Sequence, residues 1–330
     1  MSRALVFGGS GQTGRAIAAA LLAKGWQVDA TTRMPTLPAE IAAATHVPRL
    51  GTRADTIRAE RYDAVIDTLA FTAEDAADLL AARISCGQLV VLSTASVYAD
   101  ATGNGFETGD DFPAYPDPIP EDQATVPPGP GYSAGKVAME QALAATDALI
   151  LRPGAIHGIG ARHPREWWVM KRLLDGRTRI PLAYGGTSRF HTTSATGMAG
   201  FTAHALDRQI TGTFNIADPD APTVSDIVRS VASATGHAAT IIPLPGADHD
   251  PVGHSPWSVP RPLHLDITRA LTTGWDGGPC HAASMPALCA WMATHRDDWQ
   301  TAFPAFASYP HDPFDYVAED DLLARLPQTP

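Results

Sequence analysis

Two residues with complementary acid–base chemistry, Tyr132 and Lys136, stand four positions apart. The pattern predicts a helix over 132–145, so this spacing puts both side chains on one helix face. A phenol, with a pKa of about 10, is a poor base at neutral pH, but a neighbouring ammonium favours the phenolate. Such a tyrosine can take a proton from an alcohol, or give one to a carbonyl, while a hydride moves. Because this spacing is also common on surface helices, the pair needs supporting context.

Hydroxyl side chains provide part of that context. They occupy the run Ser93-Thr-Ala-Ser-Val-Tyr98, directly after a predicted central strand over 88–92. A hydroxyl at a strand end can hold the oxygen atom that a substrate presents to the tyrosine, and Thr94 and Ser96 are the candidates.

Three glycines, Gly8, Gly11 and Gly14, lie between a predicted strand over 4–7 and a predicted helix over 13–24. In that setting the first allows a tight turn, the second lets the backbone approach a pyrophosphate, and the third lets helix and strand pack closely. The helix start offers N–H groups and a positive dipole end to the anion. An ordinary glycine-rich turn is the alternative, but the flanking strand and helix favour dinucleotide binding. The residues assigned to the dinucleotide here are Gly8, Gly11, Gln12, Thr13, Gly14 and Arg15.

The end of the second predicted strand, over 27–32, bears on the choice between NAD and NADP. An acidic residue there accepts the ribose hydroxyl of NAD, whereas an arginine suits the extra phosphate of NADP. Asp29 comes too early, inside the strand, and the strand is followed by Arg33. Arg33, helped by Arg15, can give a phosphate bidentate, charge-assisted bonds. NADP(H) is therefore the predicted cofactor, with NAD(H) as the alternative if Arg33 is only a solvated loop residue.

The order of the predicted elements indicates the fold. Alternating short apolar strands and longer helical patterns are typical of an α/β protein whose doubly wound parallel (Rossmann) sheet is covered on both faces. We expect a dinucleotide-binding domain over 1–160 and a smaller, mostly substrate-binding region over 161–330, parts of which could return to the large sheet. Strands are predicted at 4–7, 27–32, 45–48, 63–67, 88–92, 148–151, 179–182, 213–216 and 240–243, and helices at 13–24, 73–84, 132–145, 165–174, 196–206, 223–235 and 286–294.

Composition narrows the classes of function. The formal net charge of −11 disfavours binding to nucleic acids and anionic membranes. There is no signal-peptide pattern and no apolar run of about 18 residues, so a soluble protein is expected. The three cysteines lack metal-binding spacing, which fits a reduced, cytoplasmic setting. The expected partner is a small-molecule substrate, and a homodimer is left open. The loop over 101–130, rich in glycine, proline and aspartate, is typical of a binding loop or lid.

These motifs together resemble the short-chain dehydrogenase/reductase superfamily, in its extended, epimerase/dehydratase-like branch. The resemblance runs from Ala4 to about Thr235. It rests on Gly8-x-x-Gly11-x-x-Gly14, Leu92-Ser-Thr-Ala-Ser-Val-Tyr98, Tyr132-x-x-x-Lys136 followed by Glu140, and Leu151-Arg-Pro-Gly154 with Gly158. Thr32-Arg33 and Asp63-Ala-Val-Ile-Asp-Thr68 are most similar to bacterial members like the isoflavone reductases.

The resemblance implies specific assignments. Tyr132 becomes the acid/base, Thr94 its hydroxyl partner, and Lys136 also bonds the nicotinamide ribose. Asp55 is expected near the adenine, because Thr52 stands where many relatives have an aspartate. The remaining implied cofactor contacts are Thr68, Leu69 and Ala70 along the dinucleotide and Pro153, Gly154 and Ile156 beside the nicotinamide.

Substrate contacts are the least specific assignments. His157 follows the strand expected to end at the nicotinamide and could be a second acid/base, although a packed or solvated histidine is the commoner case. The histidines at 249, 254 and 264 are irregularly spaced, so no metal site is predicted. The tentative substrate contacts are Ser96, His157, Trp168, Arg189 and His191.

Three functions fit these patterns. The preferred one is an NADP(H)-dependent oxidoreductase that reduces a carbonyl or oxidises an alcohol on a small polar metabolite. The alternative is an epimerase or dehydratase that acts on a nucleotide sugar through transient oxidation with retained cofactor. A non-catalytic cofactor-sensing or RNA-associated protein is disfavoured by the complete set of Thr94, Tyr132 and Lys136 and by the net charge.

Overall fold

The computed structural model describes residues 1–107, 111–247 and 251–326. The chain divides into two compact units. The first unit comprises Met1–Ile156, Thr193–Pro219 and Leu265–Pro279, and the second comprises His157–Thr192, Asp220–His264 and Cys280–Pro330.

The elements predicted for the first half of the chain are present, with bounds that differ by a few residues. In chain order, the strands are β1 (Arg3–Phe7), β2 (Gln27–Thr31), β3 (Thr45–Val47), β4 (Tyr62–Asp67), β5 (Cys86–Leu92), β6 (Leu149–Pro153), β7 (Ala155–His157), β8 (Arg179–Leu182), β9 (Thr192–Ser194), β10 (Gly212–Ile216) and β11 (Thr240–Pro243). The helices are α1 (Gln12–Ala23), α2 (Arg53–Arg58), α3 (Ala73–Ala81), α4 (Tyr132–Leu143), α5 (Trp167–Leu174), α6 (Ala195–Arg208), α7 (Val224–Thr235), α8 (Thr268–Thr272), α9 (His281–Ala293), α10 (Trp299–Ala302) and α11 (Tyr316–Arg325).

A seven-stranded sheet forms the centre of the first unit. Its order is β10-β6-β5-β4-β1-β2-β3, and every neighbouring pair is parallel. The chain builds outward from β1 in both directions, so the order reverses between β1 and β4. The predicted α/β class with a doubly wound parallel sheet is confirmed, and β10 brings a segment from the second half of the chain to one edge of that sheet.

Alternate residues of each strand enter two separate cores. In β1, Ala4 and Val6 face a core that includes residues of α1 and α6. Leu5 and Phe7 face a second core, which includes residues of α2, α3 and α4. Because both faces are covered, the central strands are apolar almost throughout, as expected for parallel sheets.

The predicted start of the helix over 286–294 is wrong. The helix begins at His281 and contains Pro286 as its sixth residue. Proline is favoured at the first position of a helix, which is why the sequence pattern indicated a start there. Inside a helix it removes one hydrogen bond, but burial of Met285 and Leu288 beside it offsets that cost.

The second unit holds the C-terminal tail through aromatic and ionic contacts. Arg172 of α5 lies 3.6 Å over the ring of Trp168 and donates through Nε to Glu319 of α11 at 3.1 Å. Trp167 packs against Phe303, with ring centroids 5.3 Å apart. These partners in the tail are more than 130 residues away in sequence, so no local pattern announces them. Among the described residues, no helix is long and apolar enough to cross a membrane.

Candidate active site

Four loops meet at the carboxyl edge of the seven-stranded sheet. They follow β1, β4, β5 and β6 and begin at Gly8, Thr68, Ser93 and Gly154, respectively. The loops after β1 and β4 touch directly, because Thr68 Oγ1 donates to the carbonyl oxygen of Phe7 at 2.8 Å. This is the point where the strand order reverses, and open α/β sheets bind their ligands at such points.

Close packing demands glycine at Gly8, in the loop after β1, and at Gly14, in the first turn of α1. A Cβ atom on Gly14 would lie 2.2 Å from the carbonyl oxygen of Gly8, and one on Gly8 would lie 2.5 Å from Thr68 Oγ1. Gly8 also has a φ of +82°, which side-chain-bearing residues rarely adopt. These two glycines therefore serve the tight turn and the close approach of α1 to the loop.

Gly11 is different, since neither packing nor backbone conformation explains it fully. Its φ of −72° is open to any residue. A Cβ there would meet one atom, the carbonyl oxygen of Gly8, at 3.3 Å. Gly11 caps α1 without a side-chain hydrogen bond, so it gives the first-turn amides no hydroxyl or carboxylate partner. A helix start without a side-chain cap is suited to an anion.

Two arginines lie near the end of β2. Arg33 is exposed just past the strand, and Thr32 Oγ1 donates to Ser10 Oγ, which ties the strand end to the glycine loop. Arg15 Nη2 donates to the carbonyl oxygen of Ser10 at 3.1 Å, and Nη1 lies 3.5 Å from Glu40. Arg15 Nε is buried and has no hydrogen-bond partner among the residues that the structure describes. Both cations are close to the loop that would receive phosphates.

Asp29, the acidic residue of β2, is engaged inside the fold. It is 2 % exposed, lies 2.7 Å from Arg3 Nη2 and accepts the hydroxyl of Tyr62 at 2.9 Å. Burial and this carboxylate raise the pKa of Tyr62 well above its usual value. The hydrogen bonds that the Asp29 carboxylate makes here are thus to the protein itself.

Helix α4 carries the tyrosine and the lysine one turn apart. Tyr132, its first residue, is 44 % exposed, and its ring stacks on Phe71 with centroids 5.7 Å apart. Lys136 is buried, and its Nζ donates to the carbonyl oxygens of Ala70 at 2.7 Å and Leu92 at 2.6 Å. An accessible phenol therefore lies one turn from a fixed ammonium that connects the loops after β4 and β5.

The electrostatics of Lys136 are a balance between burial and nearby carboxylates. Burial lowers its pKa to about 8, and the charge of Arg53 acts in the same direction. Asp67, Glu140 and Asp75 oppose that shift. The side chain is mostly protonated at neutral pH but within reach of titration just above it.

The hydroxyls after β5 fall into two groups. Ser93 is buried and donates to Glu140 of α4. Thr94 Oγ1 accepts the backbone N–H of Ser96 and donates to its hydroxyl, both at 3.2 Å. Thr94 and Ser96 are thus paired at the strand end, whereas Ser93 is committed to the helix. The assignment of Thr94 as the hydroxyl partner of Tyr132 stays a prediction.

The position of α4 is fixed at both ends. Arg152 of β6 reaches Glu140 through Nη2 at 2.5 Å and through Nε at 3.0 Å, in a buried pair. At the helix start, Glu107 of the long loop accepts the N–H of Ser133 at 2.9 Å and its hydroxyl at 3.0 Å. The loop over 101–130 therefore helps to cap the helix that carries Tyr132.

Sequence reasoning missed three residues that support this helix: Arg53, Asp67 and Phe71. Asp67, at the end of β4, accepts the N–H groups of Leu69 and Ala70. Arg53 of the unpredicted helix α2 pairs with Asp67 in the interior. The available signal was a carboxylate closing a buried strand, since such a group needs a partner.

Comparison with known proteins identifies the family. A family model described as the RmlD substrate binding domain matches residues 2–264. The chain belongs to this family. It is a member of the extended branch of the short-chain dehydrogenase/reductase superfamily and an enzyme of that type. The finer likeness to isoflavone reductases stays a prediction.

Two curated relatives are named as reductases. The 3-diazoavenalumate denitrifying reductase of a Streptomyces species is 26 % identical over 321 residues, which cover 89 % of this chain and 96 % of that protein. The 2'-dehydrokanamycin reductase of Streptomyces kanamyceticus is 34 % identical over 169 residues, covering 48 % of this chain and 44 % of that protein.

Solved structures of epimerases share the fold of this family member. The UDP-glucose 4-epimerase of Thermus thermophilus, solved with NAD, gives a TM-score of 0.64 at 21 % identity and covers 88 % of this chain and 99 % of that one. The UDP-N-acetylglucosamine 4-epimerase of Bacillus cereus gives 0.67 at 17 % identity and covers 89 % and 100 %.

The other assigned cofactor contacts have clear places in the first unit. Asp55 closes a capping box with Thr52 at the start of α2, a structural use of its carboxylate. Leu69 is 49 % exposed, whereas Ala70 is buried. Gly154 donates its N–H to Thr193 Oγ1 at 2.9 Å, between Pro153, the last residue of β6, and the half-buried Ile156.

Four of the tentative substrate residues belong to the second unit. The ring of His157 lies 5.0 Å from that of His281, and Trp168 is 1 % exposed beneath Arg172. Arg189 donates to the carbonyl oxygen of Ala221. His191 Nε2 lies 3.0 Å from the carbonyl oxygen of Asp220. Their assignment to the substrate stays a prediction.

No group of three potential metal ligands occurs among the described residues. Of the three irregularly spaced histidines, His249 lies outside the described residues. His254 and His264 lie in the second unit, each beside an aromatic or histidine ring.

Proposed function

We propose that this protein is an NADP(H)-dependent oxidoreductase that reduces a carbonyl, or oxidises an alcohol, on a small polar metabolite. The observation that carries the proposal is the α4 pair. Tyr132 is exposed, and one turn later the buried ammonium of Lys136 is held by the carbonyl oxygens of Ala70 and Leu92. The formal net charge of −11 favours a small-molecule partner over a nucleic acid.

The residues at the carboxyl edge of the sheet fit a nicotinamide dinucleotide. Gly11 leaves bare backbone where a pyrophosphate would approach, and the start of α1 supplies N–H groups and a positive dipole end. Leu69 and Ala70, Lys136 and Gly154 follow along the same edge. When bound, such a cofactor supplies or accepts the hydride.

The preference for NADP(H) rests on charge. Arg33 is exposed just past β2, and Arg15 has a buried Nε without a hydrogen-bond partner in the described parts of the chain. Either cation can give a phosphate charge-assisted hydrogen bonds. Asp29, the acidic residue of β2, lies inside the strand instead of at its end and is paired with Arg3 and Tyr62.

The protein's own residues divide the remaining work. The Tyr132 hydroxyl transfers a proton to or from the substrate oxygen, a step that contributes about 10²–10⁴-fold to the rate. Thr94 and Ser96 offer hydroxyls to the same oxygen. The positive charge of Lys136 stabilises negative charge that develops on the phenol, and its third N–H would be the donor to the cofactor ribose.

Net reduction is preferred over epimerisation or dehydration because the two curated relatives are named reductases. The epimerase structures are 17–21 % identical and share the fold only. The two mechanisms differ in cofactor balance, since a reductase consumes one cofactor per product whereas an epimerase returns the hydride within each cycle.

The cofactor preference is tested by fluorescence titration of NADPH and NADH against wild type, Arg33→Ala and Arg61→Ala. Arg61 is exposed just before β4, at the opposite edge of the sheet, and serves as the matched control. Arg33→Ala should weaken NADPH about tenfold, the equivalent of one charge-assisted hydrogen bond, and leave NADH nearly unchanged. If NADPH and NADH bind with equal affinity and Arg33→Ala changes neither affinity, the proposed preference for NADP(H) is wrong.

The reaction type is tested by stoichiometry. Small polar carbonyl compounds are screened with NADPH, and for any that react, product is compared with the loss of nicotinamide absorbance. One cofactor consumed per product supports the reductase. Product formed with catalytic cofactor and no net absorbance change would instead identify an epimerase or dehydratase.

A further inference from the structure

A short segment, Thr68 to Phe71, connects the end of β4 to the start of α3; we call it the strap. Two carboxylates hold its backbone. Asp67 Oδ1 accepts the N–H groups of Leu69 at 2.7 Å and Ala70 at 2.8 Å. Asp75 Oδ2 accepts the N–H of Phe71 at 2.7 Å. Successive amides of the strap are therefore fixed by charged acceptors, which make stronger hydrogen bonds than neutral ones.

The strap in turn touches both members of the α4 pair. The carbonyl oxygen of Ala70 accepts Lys136 Nζ at 2.7 Å, and the Phe71 ring stacks on Tyr132. The fit is close, because a Cβ atom on Gly135, between the two, would lie 3.2 Å from the Phe71 ring and 3.3 Å from its carbonyl oxygen. A displacement of the strap would therefore move Tyr132, Lys136 or both.

Arg53 completes the arrangement from α2. It is 5 % exposed, its Nε donates to Asp67 Oδ2, and its Nη1 donates to Asp75 Oδ1. Each carboxylate thus gives one oxygen to Arg53 and the other to the strap. A guanidinium has the planar fork of donors that this geometry needs, and the buried Asp67 carboxylate would be costly without a cation.

We infer that Arg53 is a positioning residue for the reaction: through Asp67 and Asp75 it holds the strap, and through the strap it sets the position and charge environment of Tyr132 and Lys136. The inference rests on the proposed function of the α4 pair. A purely structural ion pair would stabilise the fold without affecting the NADPH affinity of the folded protein.

The pKa of Lys136 is a second quantity that the charge of Arg53 should change. The charged groups that face Lys136 come from four elements, namely Arg53 of α2, Asp67 of β4, Asp75 of α3 and Glu140 of α4. Removing the positive charge of Arg53 should raise the pKa of Lys136, and removing the negative charge of Asp75 should lower it. Arg53→Lys keeps the charge and should leave the pKa close to its wild-type value.

The chain makes this measurable, since it has only three lysines, Lys24, Lys136 and Lys171. Protein labelled with carbon-13 lysine is titrated by NMR without cofactor, and Lys136→Arg identifies the Lys136 signal by its loss. Arg58→Met is the matched control, because Arg58 is on the same helix but donates to the carbonyl oxygen of Ala81 instead of the strap.

The expected result is a pair of opposite shifts of roughly one pH unit, upward in Arg53→Met and downward in Asp75→Asn, with no shift in Arg58→Met. NADPH affinity should fall about tenfold in Arg53→Met and be largely restored in Arg53→Lys. If Arg53→Met does not fold, Asp75→Asn and Arg53→Lys still decide the matter. Shifts in the same direction, or none, would overturn the positioning role. If wild type binds neither NADPH nor NADH, the proposed function fails separately, because the lysine titration needs no cofactor.

Discussion

Two neighbouring loops at one sheet edge are built by opposite means. The loop after β1 works by the absence of side chains, since Gly8 and Gly14 have no room for a Cβ and Gly11 leaves backbone bare. The strap after β4 is held by charged side chains, because Asp67 and Asp75 accept its amides and Arg53 pairs with both carboxylates. In the proposed function, the first makes space for the cofactor, and the second fixes the groups that act on the substrate.

The difference teaches how each loop should fail. A substitution in the glycine loop adds atoms, so it should weaken cofactor binding more than it alters proton transfer. A substitution in or beside the strap changes charge or position, so it should alter proton transfer or the ionisation of Lys136 while the pyrophosphate cradle stays intact.

The largest expected effect is that of Tyr132→Phe. The change removes one hydroxyl from an exposed side chain and keeps the ring that stacks on Phe71. Turnover should fall by about 10²–10⁴-fold, the usual contribution of general acid–base catalysis, while NADPH affinity stays within about twofold. Steady-state rates and fluorescence titration on the same preparation measure both.

The matched control for Tyr132→Phe is Tyr115→Phe, since Tyr115 donates its hydroxyl to the carbonyl oxygen of Tyr98 and takes no part in the α4 pair. It should keep most of the activity. Near-normal turnover in Tyr132→Phe would contradict the assignment of Tyr132 as the acid/base. The proposed contrast between the glycine loop, which binds cofactor, and the strap, which positions Tyr132, would then fail as well.

The next effect comes from Gly14→Ala compared with Gly11→Ala. At Gly14 the new methyl would lie 2.2 Å from a backbone oxygen, so the loop must move, at a cost of about 1–3 kcal/mol in the free energy of unfolding. At Gly11 the nearest atom is 3.3 Å away, so the fold should lose little, but the methyl should still weaken NADPH. Thermal unfolding measures the effect on stability, and cofactor titration measures the effect on NADPH affinity. A Gly11→Ala protein that binds NADPH normally would contradict pyrophosphate binding at Gly11.

The sequence predicts the structure of the glycine loop better than that of the strap, for a physical reason. The glycine loop and the Tyr132/Lys136 pair each lie within one turn or helix, so their spacing along the chain encodes their geometry. Strand and helix alternation likewise predicted the parallel sheet, because apolar strands covered on both faces leave a local pattern.

The strap network could not be read in the same way. Arg53, Asp67 and Asp75 come from three different elements, and their meeting depends on how those elements pack. Helix α2 is six residues long, too short to show a helical period, and only its capping box of Thr52 and Asp55 announces it. The C-terminal tail could not be predicted for the same reason, because Glu319 and Arg172 are far apart in sequence and meet only in the folded chain.

A smaller effect is the pH dependence of cofactor binding. Lys136, whose pKa burial lowers to about 8, is charged below that pH and neutral above it. NADPH affinity should therefore be constant from about pH 6 to 7 and fall above pH 8, by up to about tenfold per unit. The linkage to stability has the opposite sign: because the folded pKa lies below the unfolded one, the contribution of Lys136 to stability improves as pH rises past 8.

Fluorescence titration across pH, together with Lys136→Arg, checks this expectation. An arginine keeps its charge throughout this range, so any binding that the variant retains should show no fall above pH 8. A wild-type profile that stays flat to about pH 10 would mean that the ammonium of Lys136 does not contribute to binding, and the ribose assignment would be lost.

The smallest expected effect concerns the long loop, which touches α4 from outside the strap. Glu107 accepts the N–H and hydroxyl of Ser133, and Gly131 at the cap position makes no side-chain hydrogen bond of its own. Glu107→Gln keeps an acceptor and removes the charge near the helix start, which should cost about 0.3–1 kcal/mol at most at this exposed site. Asp111→Asn, an exposed carboxylate of the same loop, is the matched control.

The expected change for Glu107→Gln is a fall in Tm of about 1–3 °C, with turnover within about threefold of wild type. The reason is that the strap and the Glu140–Arg152 pair also hold α4, without Glu107. Calorimetry and steady-state rates on the two loop variants test this directly. A loss of activity in Glu107→Gln as large as that of Tyr132→Phe, at unchanged Tm, would show that the loop over 101–130 positions Tyr132 as strongly as the strap does. The comparison of the glycine loop with the strap would then have to include this third loop.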